Sequence, residues 1–211
     1  VEGFPKIFFI SFLLVLLTIN EASFISNEGT PWCLTIFLVV QFATIKKTKK
    51  IYIILIMNKI YLNIYNNLIN FSRNKDLYKS LNRQDEFSDR LTLFLLHFSF
   101  FLKNFKNDKN KTILQDIYDF IFRQLELSIR EVGYGDQSIN KKMKEYINLF
   151  HSMVSEIHFW SDLTKSEKLS KFSIFLADFR EIDHLLVYFE QYNDDLSKKT
   201  LNSYLKSVNN P

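Results

Sequence analysis

Cysteine, proline and glycine are all scarce in this chain of 211 residues. Its single cysteine, Cys33, excludes an internal disulfide and any metal site built from cysteines. No proline lies between Pro31 and Pro211, and the chain contains only four glycines. Because both residue types interrupt helices, their scarcity predicts a helical protein. The length fits one domain with an additional terminal segment.

Recognisable catalytic motifs are missing as well. The pair Gly133 and Gly135 fits no phosphate-binding loop, because no predicted strand precedes it and its spacing matches neither nucleotide fingerprint. No serine or cysteine has the surroundings of a nucleophile, and the carboxylates are scattered over helix faces. The formal net charge of +4 is too small to indicate binding to DNA. We therefore expect no enzymatic activity, no cofactor and no metal.

Residues 1–56 differ in composition from the rest of the chain. They contain no aspartate, and they hold two apolar runs, Ile7–Ile19 and Trp32–Ile45. Both runs are shorter than the roughly 20 residues of a membrane-spanning helix. Three interpretations are open: a membrane anchor, a cleaved signal sequence, or upstream sequence translated from a wrongly assigned start. We favour the third, in which the protein begins at Met57 and residues 57–211 form the functional domain.

Helical periodicity of apolar residues begins at Tyr61 and continues through most of the chain. It predicts a single all-α bundle of about six to seven helices. The helix from about Asp85 to Lys106 is apolar nearly all round, so it is either central to the bundle or lines a groove for an apolar partner. The later helices are predicted at about Ile113–Val132, Ile139–Phe159, Lys165–Phe179 and Ile182–Tyr192, with a last helix from Asp194–Asp195 to about Ser207.

Two threonines are predicted to begin helices. Thr112 can cap the helix that starts near Ile113, with Gln115 completing a weaker capping box. Thr164 forms a full capping box with Glu167, in which each side chain accepts a hydrogen bond from the backbone N–H of the other residue.

The stretch Arg130–Lys144 is predicted to be a tight αα-hairpin around which the bundle is organised. Gly133 can adopt the left-handed conformation that ends a helix without a Cβ clash. Asp136 or Ser138 can then accept hydrogen bonds from the free N–H groups of the next helix. Gly133 and Gly135 thus form a Gly-x-Gly turn between two helices.

Lysines after this turn are candidates for binding a partner. Lys141, Lys142 and Lys144 lie near the start of a helix, where cations oppose the helix dipole at a cost of a few tenths of a kcal/mol each. That cost indicates an anionic partner such as lipid headgroups, RNA or an acidic protein surface. A solvated basic face is the simpler explanation.

Three further groups have structural interpretations. Arg130–Glu131 lies beside Asp136, and an arginine at a helix end both satisfies carbonyl groups and pairs with carboxylates. Asp89–Arg90 is predicted to do the same at the start of the apolar helix. His97 lies among apolar residues, which is typical of a hydrogen-bonded core histidine.

Several motifs occur in a defined order between Asp85 and Lys144. The residues concerned are Asp85-Glu86-Phe87-Ser88-Asp89-Arg90-Leu91, Leu95-Leu96-His97, Leu114-Gln115-Asp116 with Phe120, Ile129 to Asp136 (IREVGYGD), and Lys141 to Lys144. This ordered set resembles the ubiquinol–cytochrome c chaperone family, whose members share a D-x-F-x-x-R-x-x-L-x-x-L-H run, an LREMGVGD hairpin and a KRMK run. The resemblance covers about Tyr61 to Phe159. The family's F-Y-G-R is replaced here by Phe150-His151-Ser152-Met153.

The resemblance implies an all-α, non-enzymatic chaperone that helps to assemble the cytochrome bc1 complex by binding newly made cytochrome b. It also implies a bacterial, alphaproteobacterial form that is cytoplasmic and peripheral at the inner membrane, with contacts to the ribosome or the membrane surface. An apolar groove could shield membrane-helix segments, and a basic helix end could contact ribosomal RNA or lipid headgroups. The alternative is a membrane-anchored helical scaffold that depends on residues 1–56. The oligomeric state is left open.

The residues predicted to contact a client or another partner come from the shared motifs and from the hairpin. They are Asp89, Arg90, His97, Arg130, Glu131, Gly133, Gly135, Asp136, Lys141, Lys142 and Lys144. No residue is proposed to act in catalysis or to bind a cofactor or metal.

Overall fold

Long stretches without proline or glycine form helices in the computed structural model, which describes residues 55–79, 81, 83–180 and 182–209. Almost all of the distinctive segment 1–56 therefore lies outside the described residues, and the boundary at Met57 stays a prediction. The described residues all belong to one structural unit, Ile54–Pro211.

Seven α-helices and no β-strand occur in this part of the chain, which confirms the predicted all-α bundle. The helices are α1 (residues 55–72), α2 (Phe87–Phe105), α3 (Lys111–Glu131), α4 (Asp136–Ile157), α5 (Lys165–Phe175), α6 (Ile182–Ser197) and α7 (Leu201–Asn209). Two short 3-10 helices, Lys75–Tyr78 and Trp160–Asp162, connect them. An isolated backbone bridge joins Leu81 to Phe179.

Helix α2 packs against α4 and α6, and every residue from Leu93 to Phe101 is buried. Its aromatic rings reach both neighbours. The ring centroid of Phe98 lies 4.9 Å from that of Phe150 on α4, and the centroid of Phe100 lies 5.5 Å from that of Phe189 on α6. Burying one such side chain stabilises the fold by about 1.5–3 kcal/mol. Aromatic contacts in the core therefore hold α4 and α6 on different parts of the α2 surface.

Helix α1 packs on the bundle through the periodic residues that predicted it. Ile64 and Leu68 are fully buried. The Tyr61 hydroxyl donates a hydrogen bond of 3.4 Å to Asp116 on α3, and the Tyr61 ring lies 5.8 Å from that of Phe120. The helix thus joins the bundle through one apolar face and through polar contacts that include those of Tyr65 with Ser128 and of Asn67 with Tyr204.

The predicted caps are confirmed in one case and wrong in another. Thr164 and Glu167 form the expected capping box at the start of α5. Helix α3, however, begins at Lys111 with Asn110 as its N-cap, so Thr112 lies inside the first turn. The Asn110 side chain makes no capping hydrogen bond to α3, and its amide donates instead to the carbonyl of Phe105 at the end of α2, at 2.9 Å.

Two predicted boundaries near the C-terminus are wrong. Helix α5 ends at Phe175, because Phe179 turns into the core and its backbone pairs with Leu81. Helix α6 continues through Asp194–Asp195, since Tyr192 and Leu196, one turn apart, are both buried. Packing of this pair outweighs the capping tendency of the aspartates. The last helix begins instead after Thr200, whose hydroxyl accepts from the Ser203 N–H at 3.2 Å.

Candidate functional site

The turn between α3 and α4 is closed by glycine backbone geometry. Gly133 has a φ of 98°, a conformation that favours glycine, and its N–H donates to the carbonyl of Arg130 at 2.9 Å. Gly135, in extended conformation, is the N-cap of α4. The prediction that Asp136 or Ser138 caps this helix is therefore wrong, because both residues lie inside its first turn.

The side chain of Arg130 links the two helices across this turn. Its Nη1 lies 2.5 Å from Asp136 Oδ1, and its Nη2 lies 2.8 Å from Glu126 Oε1. These two carboxylates raise the pKa of the guanidinium, with the bond to Glu126 as the larger cause. The pairing predicted for Arg130 and Asp136 is thus present. Because all three side chains are well exposed, it fixes the geometry of the turn more than it stabilises the fold.

An open groove runs between α3 and α4 on the outside of the bundle. Four apolar or aromatic side chains form its floor, and all four are buried or half-buried: Tyr118, Phe122, Met143 and Ile147. Its volume is about 520 Å³. This space is large enough to accept several side chains of another polypeptide.

Charged residues of both signs form the rim of this groove. Asp119, Arg123 and Glu126 come from α3, whereas Asn140 and Lys144 come from α4. Arg123 and Lys144 form no ion pair within the described residues. The groove therefore combines an apolar floor with two positively charged side chains, Arg123 and Lys144, that are available to a partner.

At one end of the groove, Tyr118 connects α3 to α4 through a hydrogen bond. Its hydroxyl lies 3.0 Å from His151 Nε2. Burial and the neighbouring Asp119 raise the pKa of the Tyr118 hydroxyl, so the phenol stays protonated and can donate to the histidine. His151 stands where the family motif has tyrosine, and here it fixes the orientation of a groove-floor ring.

The lysines predicted to meet an anionic partner lie on one side of α4. Lys141 and Lys144 are exposed, and Lys142 is half-buried with its Nζ 4.8 Å from the centroid of the Tyr134 ring. None of the three forms an ion pair with a residue that the structure describes. Their positive charge is therefore available to an external anionic group.

Asp89 and Arg90 have structural partners at the start of α2. Asp89 is only 5% exposed, and its carboxylate accepts from Arg83 Nη1 at 2.7 Å, from Arg83 Nη2 at 3.1 Å and from the Glu86 N–H at 2.8 Å. Arg90 pairs with Asp85. These contacts agree with the structural pairing predicted for the two residues, and a role of Asp89 or Arg90 in binding a client stays a prediction.

His97 is completely buried between α1, α2 and α6. Its Nδ1 lies 2.6 Å from the carbonyl oxygen of Leu93, and its Nε2 lies 2.9 Å from the hydroxyl of Tyr188. The Phe71 ring stacks on the imidazole with the centroids 5.7 Å apart. Burial lowers the pKa of His97 to about 4, so the ring is neutral at pH 7. A side chain enclosed in this way has no surface to offer a partner.

The remaining predicted residues come together at the exposed hairpin. Arg130, Glu131, Gly133, Gly135 and Asp136 form or flank the turn, and the three lysines follow on α4.

The groove floor was not predicted. Its signal is nevertheless in the sequence, because Tyr118 and Phe122 on α3, like Met143 and Ile147 on α4, are spaced four residues apart and so share a helix face.

Two kinds of site are absent from the described residues. No group of three or more histidine, cysteine, aspartate or glutamate side chains is arranged to hold a metal ion there. Among the helices that the structure describes, none is both long enough and apolar enough to cross a membrane.

Residues 79–158 match the model of the ubiquinol-cytochrome C chaperone family, the same family that the ordered motifs resemble. The matched residues include all of α2, α3 and α4. The groove and the hairpin therefore both lie in the part of the chain that the family model matches.

The fold is similar to that in the crystal structure of the Cbp3 homolog from Brucella abortus. The TM-score is 0.52, the alignment covers 79% of this chain and 92% of that chain, and 20% of the aligned residues are identical. At this level of identity the similarity shows a shared fold. No curated protein matches the chain.

Proposed function

We propose that this protein is an assembly chaperone of the cytochrome bc1 complex and that its client is newly made cytochrome b. The observation that carries the proposal is the apolar groove between α3 and α4, which lies inside the family segment 79–158. A membrane protein that has not yet been assembled exposes apolar helix surfaces, and such surfaces aggregate in water unless they are covered.

The groove has the features of a surface that receives a helix. Peptide-binding grooves of this kind accept the apolar stripe of a helix through side chains three or four residues apart. Here Tyr118 and Phe122 offer one such row, and Met143 and Ile147 offer a second row from the facing helix. A client helix lying between the two rows would bury apolar side chains on both sides at once.

The charged rim would then contact the polar residues at the ends of a client helix. Arg123 and Lys144 can pair with carboxylates, whereas Asp119 can pair with lysine or arginine. Rim charges contribute more to the rate and selectivity of association than to affinity. Most of the binding energy is expected to come from the apolar floor.

The proposal can be tested in the host by deleting the gene and measuring haem b and cytochrome b in the membranes. Both should fall in the deletion strain and return when the wild-type gene is restored. A variant with Met143→Glu and Ile147→Glu should fail to restore them, because two carboxylates would oppose an apolar client. Unchanged haem b and cytochrome b in the deletion strain would refute the chaperone function.

A control variant separates loss of the groove from general damage to the surface. Ile174 on α5 and Val187 on α6 are 64% and 50% exposed and do not line the groove. Ile174→Glu with Val187→Glu introduces the same charge outside the groove and should restore cytochrome b. Equal failure of the two variants would show that the groove is not the client site.

A further inference from the structure

The tip of the α3–α4 hairpin exposes apolar side chains next to unpaired lysines. Val132 is 66% exposed and Tyr134 is 44% exposed. A Cβ atom added at either Gly133 or Gly135 would meet nothing within 4 Å, so no other described part of the chain covers the turn. We call Val132, Tyr134, Lys141 and Lys142 the hairpin tip.

The positive charge of the hairpin tip is not neutralised within the described residues. Lys141 is exposed and forms no ion pair, and Lys142 contacts the face of the Tyr134 ring. Of the two carboxylates beside the turn, Asp136 is held by Arg130, whereas Glu131 is exposed. An aromatic ring, an aliphatic side chain and two lysines therefore share one exposed end of the hairpin.

We propose that the hairpin tip docks on the surface of a phospholipid bilayer that contains anionic lipids. Tyrosine prefers the boundary between the hydrocarbon and the headgroups, where its ring is apolar and its hydroxyl remains hydrated. Lysines near an anionic surface contribute attraction that falls off within a Debye length. Val132 would enter the outer part of the hydrocarbon, and Lys141 and Lys142 would contact the phosphates.

The exposed aliphatic side chain favours lipid over RNA as the occupant of this surface. RNA phosphates would use the lysines, and a base could stack on Tyr134, but RNA offers no apolar environment for Val132. A membrane surface provides hydrocarbon for Val132 and anionic headgroups for the lysines at adjacent depths. The combination of two apolar residues in the turn with two lysines on the following helix therefore matches a bilayer surface better than a nucleic acid.

Docking in this way would bring the groove next to the bilayer. Lys144, on the groove rim, lies one turn along α4 from Lys141. A chaperone held by its hairpin tip would thus present its groove close to the surface into which a membrane protein inserts. Membrane docking does not depend on the identity of the client. Vesicle flotation tests docking, whereas gene deletion tests the chaperone function, so either proposal can fail without the other.

Flotation of the full chain with lipid vesicles tests the proposal. One set of vesicles contains phosphatidylcholine alone, and the other contains phosphatidylcholine with phosphatidylglycerol. Lys141→Glu with Lys142→Glu should lower the partition coefficient on the anionic vesicles about tenfold or more, since each lysine contributes near an anionic surface. The matched control, Lys106→Glu with Lys109→Glu, makes the same charge change in the exposed loop between α2 and α3 and should bind as the wild type does.

The apolar contribution needs a second pair of variants. Val132→Ser with Tyr134→Ser should weaken binding to the anionic vesicles about fivefold, because it removes the inserted surface but keeps every charge. Ile174→Ser with Val187→Ser removes similarly exposed apolar groups elsewhere and should have no effect. Equal losses in the hairpin-tip and control variants would overturn the proposal. So would unchanged vesicle binding by both hairpin-tip variants, or lysine variants that lose only binding to a structured RNA.

Discussion

His97 Nε2 and the Tyr188 hydroxyl lie 2.9 Å apart and join α2 to α6 inside the core. The other ring nitrogen, Nδ1, lies 2.6 Å from the carbonyl oxygen of Leu93 and donates its proton there. Nε2 is then the acceptor for the tyrosine O–H. The acceptor role of Nε2 therefore requires a neutral imidazole with its proton on Nδ1. Protonation of the ring would remove the acceptor for the Tyr188 O–H and place a positive charge in an apolar core.

We predict that the protein loses stability as the pH falls from 6.5 towards 4. Burial lowers the pKa of His97 in the folded protein from 6.5 to about 4. The unfolded chain therefore binds a proton in this range that the folded chain rejects. The free energy of unfolding should fall by about 2 kcal/mol between roughly pH 7.5 and pH 5, and by about 3 kcal/mol in all. Urea titrations at each pH would measure this slope.

Two variants identify His97 as the source of this pH dependence. His97→Leu should lower stability at neutral pH, because it leaves the Tyr188 hydroxyl without its acceptor, and it should flatten the slope between pH 7 and 5. His151→Gln changes an exposed histidine and should keep the wild-type slope. If the His97→Leu variant kept the wild-type pH dependence of the free energy of unfolding, His97 would not be its source.

Asp89→Asn is predicted to destabilise the fold by about 2 kcal/mol, because the buried carboxylate accepts three hydrogen bonds at the start of α2. An amide can replace at most part of this set and brings no charge to Arg83. Asp178, which also pairs with Arg83, is 68% exposed. Asp178→Asn should therefore change stability by less than about 0.5 kcal/mol. Equal effects of the two substitutions on the urea midpoint would show that burial of Asp89 is unimportant.

Gly133→Ala is predicted to cost about 1–2 kcal/mol, since a residue with a Cβ atom is strained at a φ of 98°. Gly135 provides the matched control in the same turn. It has a φ of −73° and a ψ of 156°, which any residue can adopt, and it is the N-cap of α4. Gly135→Ser should be neutral or stabilising by up to about 0.5 kcal/mol, because serine is a better N-cap and restricts the unfolded chain. Thermal unfolding of both variants would measure the difference.

Local sequence signals predicted the parts of the fold that depend on local chemistry. Gly133 ends α3, and Thr164 with Glu167 begins α5, because both effects act within one turn of helix. The prediction of helix boundaries failed where contacts between residues that are distant in the sequence determine the structure. Asp194–Asp195 stays inside α6, since the burial of Tyr192 and Leu196 stabilises the helix across that point.

The candidate site was predicted less completely than the fold, for a similar reason. The hairpin residues were found because glycine and charge patterns are visible along the chain. The groove forms only when Phe122 on α3 and Ile147 on α4 are brought side by side, and its residues resemble ordinary core positions in the sequence. Conversely, Asp89 and His97 belong to the shared motifs, but both side chains are buried in the protein interior. A shared motif can thus reflect the needs of packing as readily as those of binding.

The client site can be located by photocrosslinking from single positions in the host. A photoreactive amino acid at Ile147, on the groove floor, should form an adduct with cytochrome b during its synthesis. The same amino acid at Ile174, which is 64% exposed but outside the groove, should not. The position of each probe decides the result, because photoreactive groups bond only to atoms they touch. The adduct from position 147 should disappear when Met143→Glu is added, since that charge opposes entry of an apolar segment. Adducts with cytochrome b from position 174 alone would place the client on the α5–α6 side of the bundle.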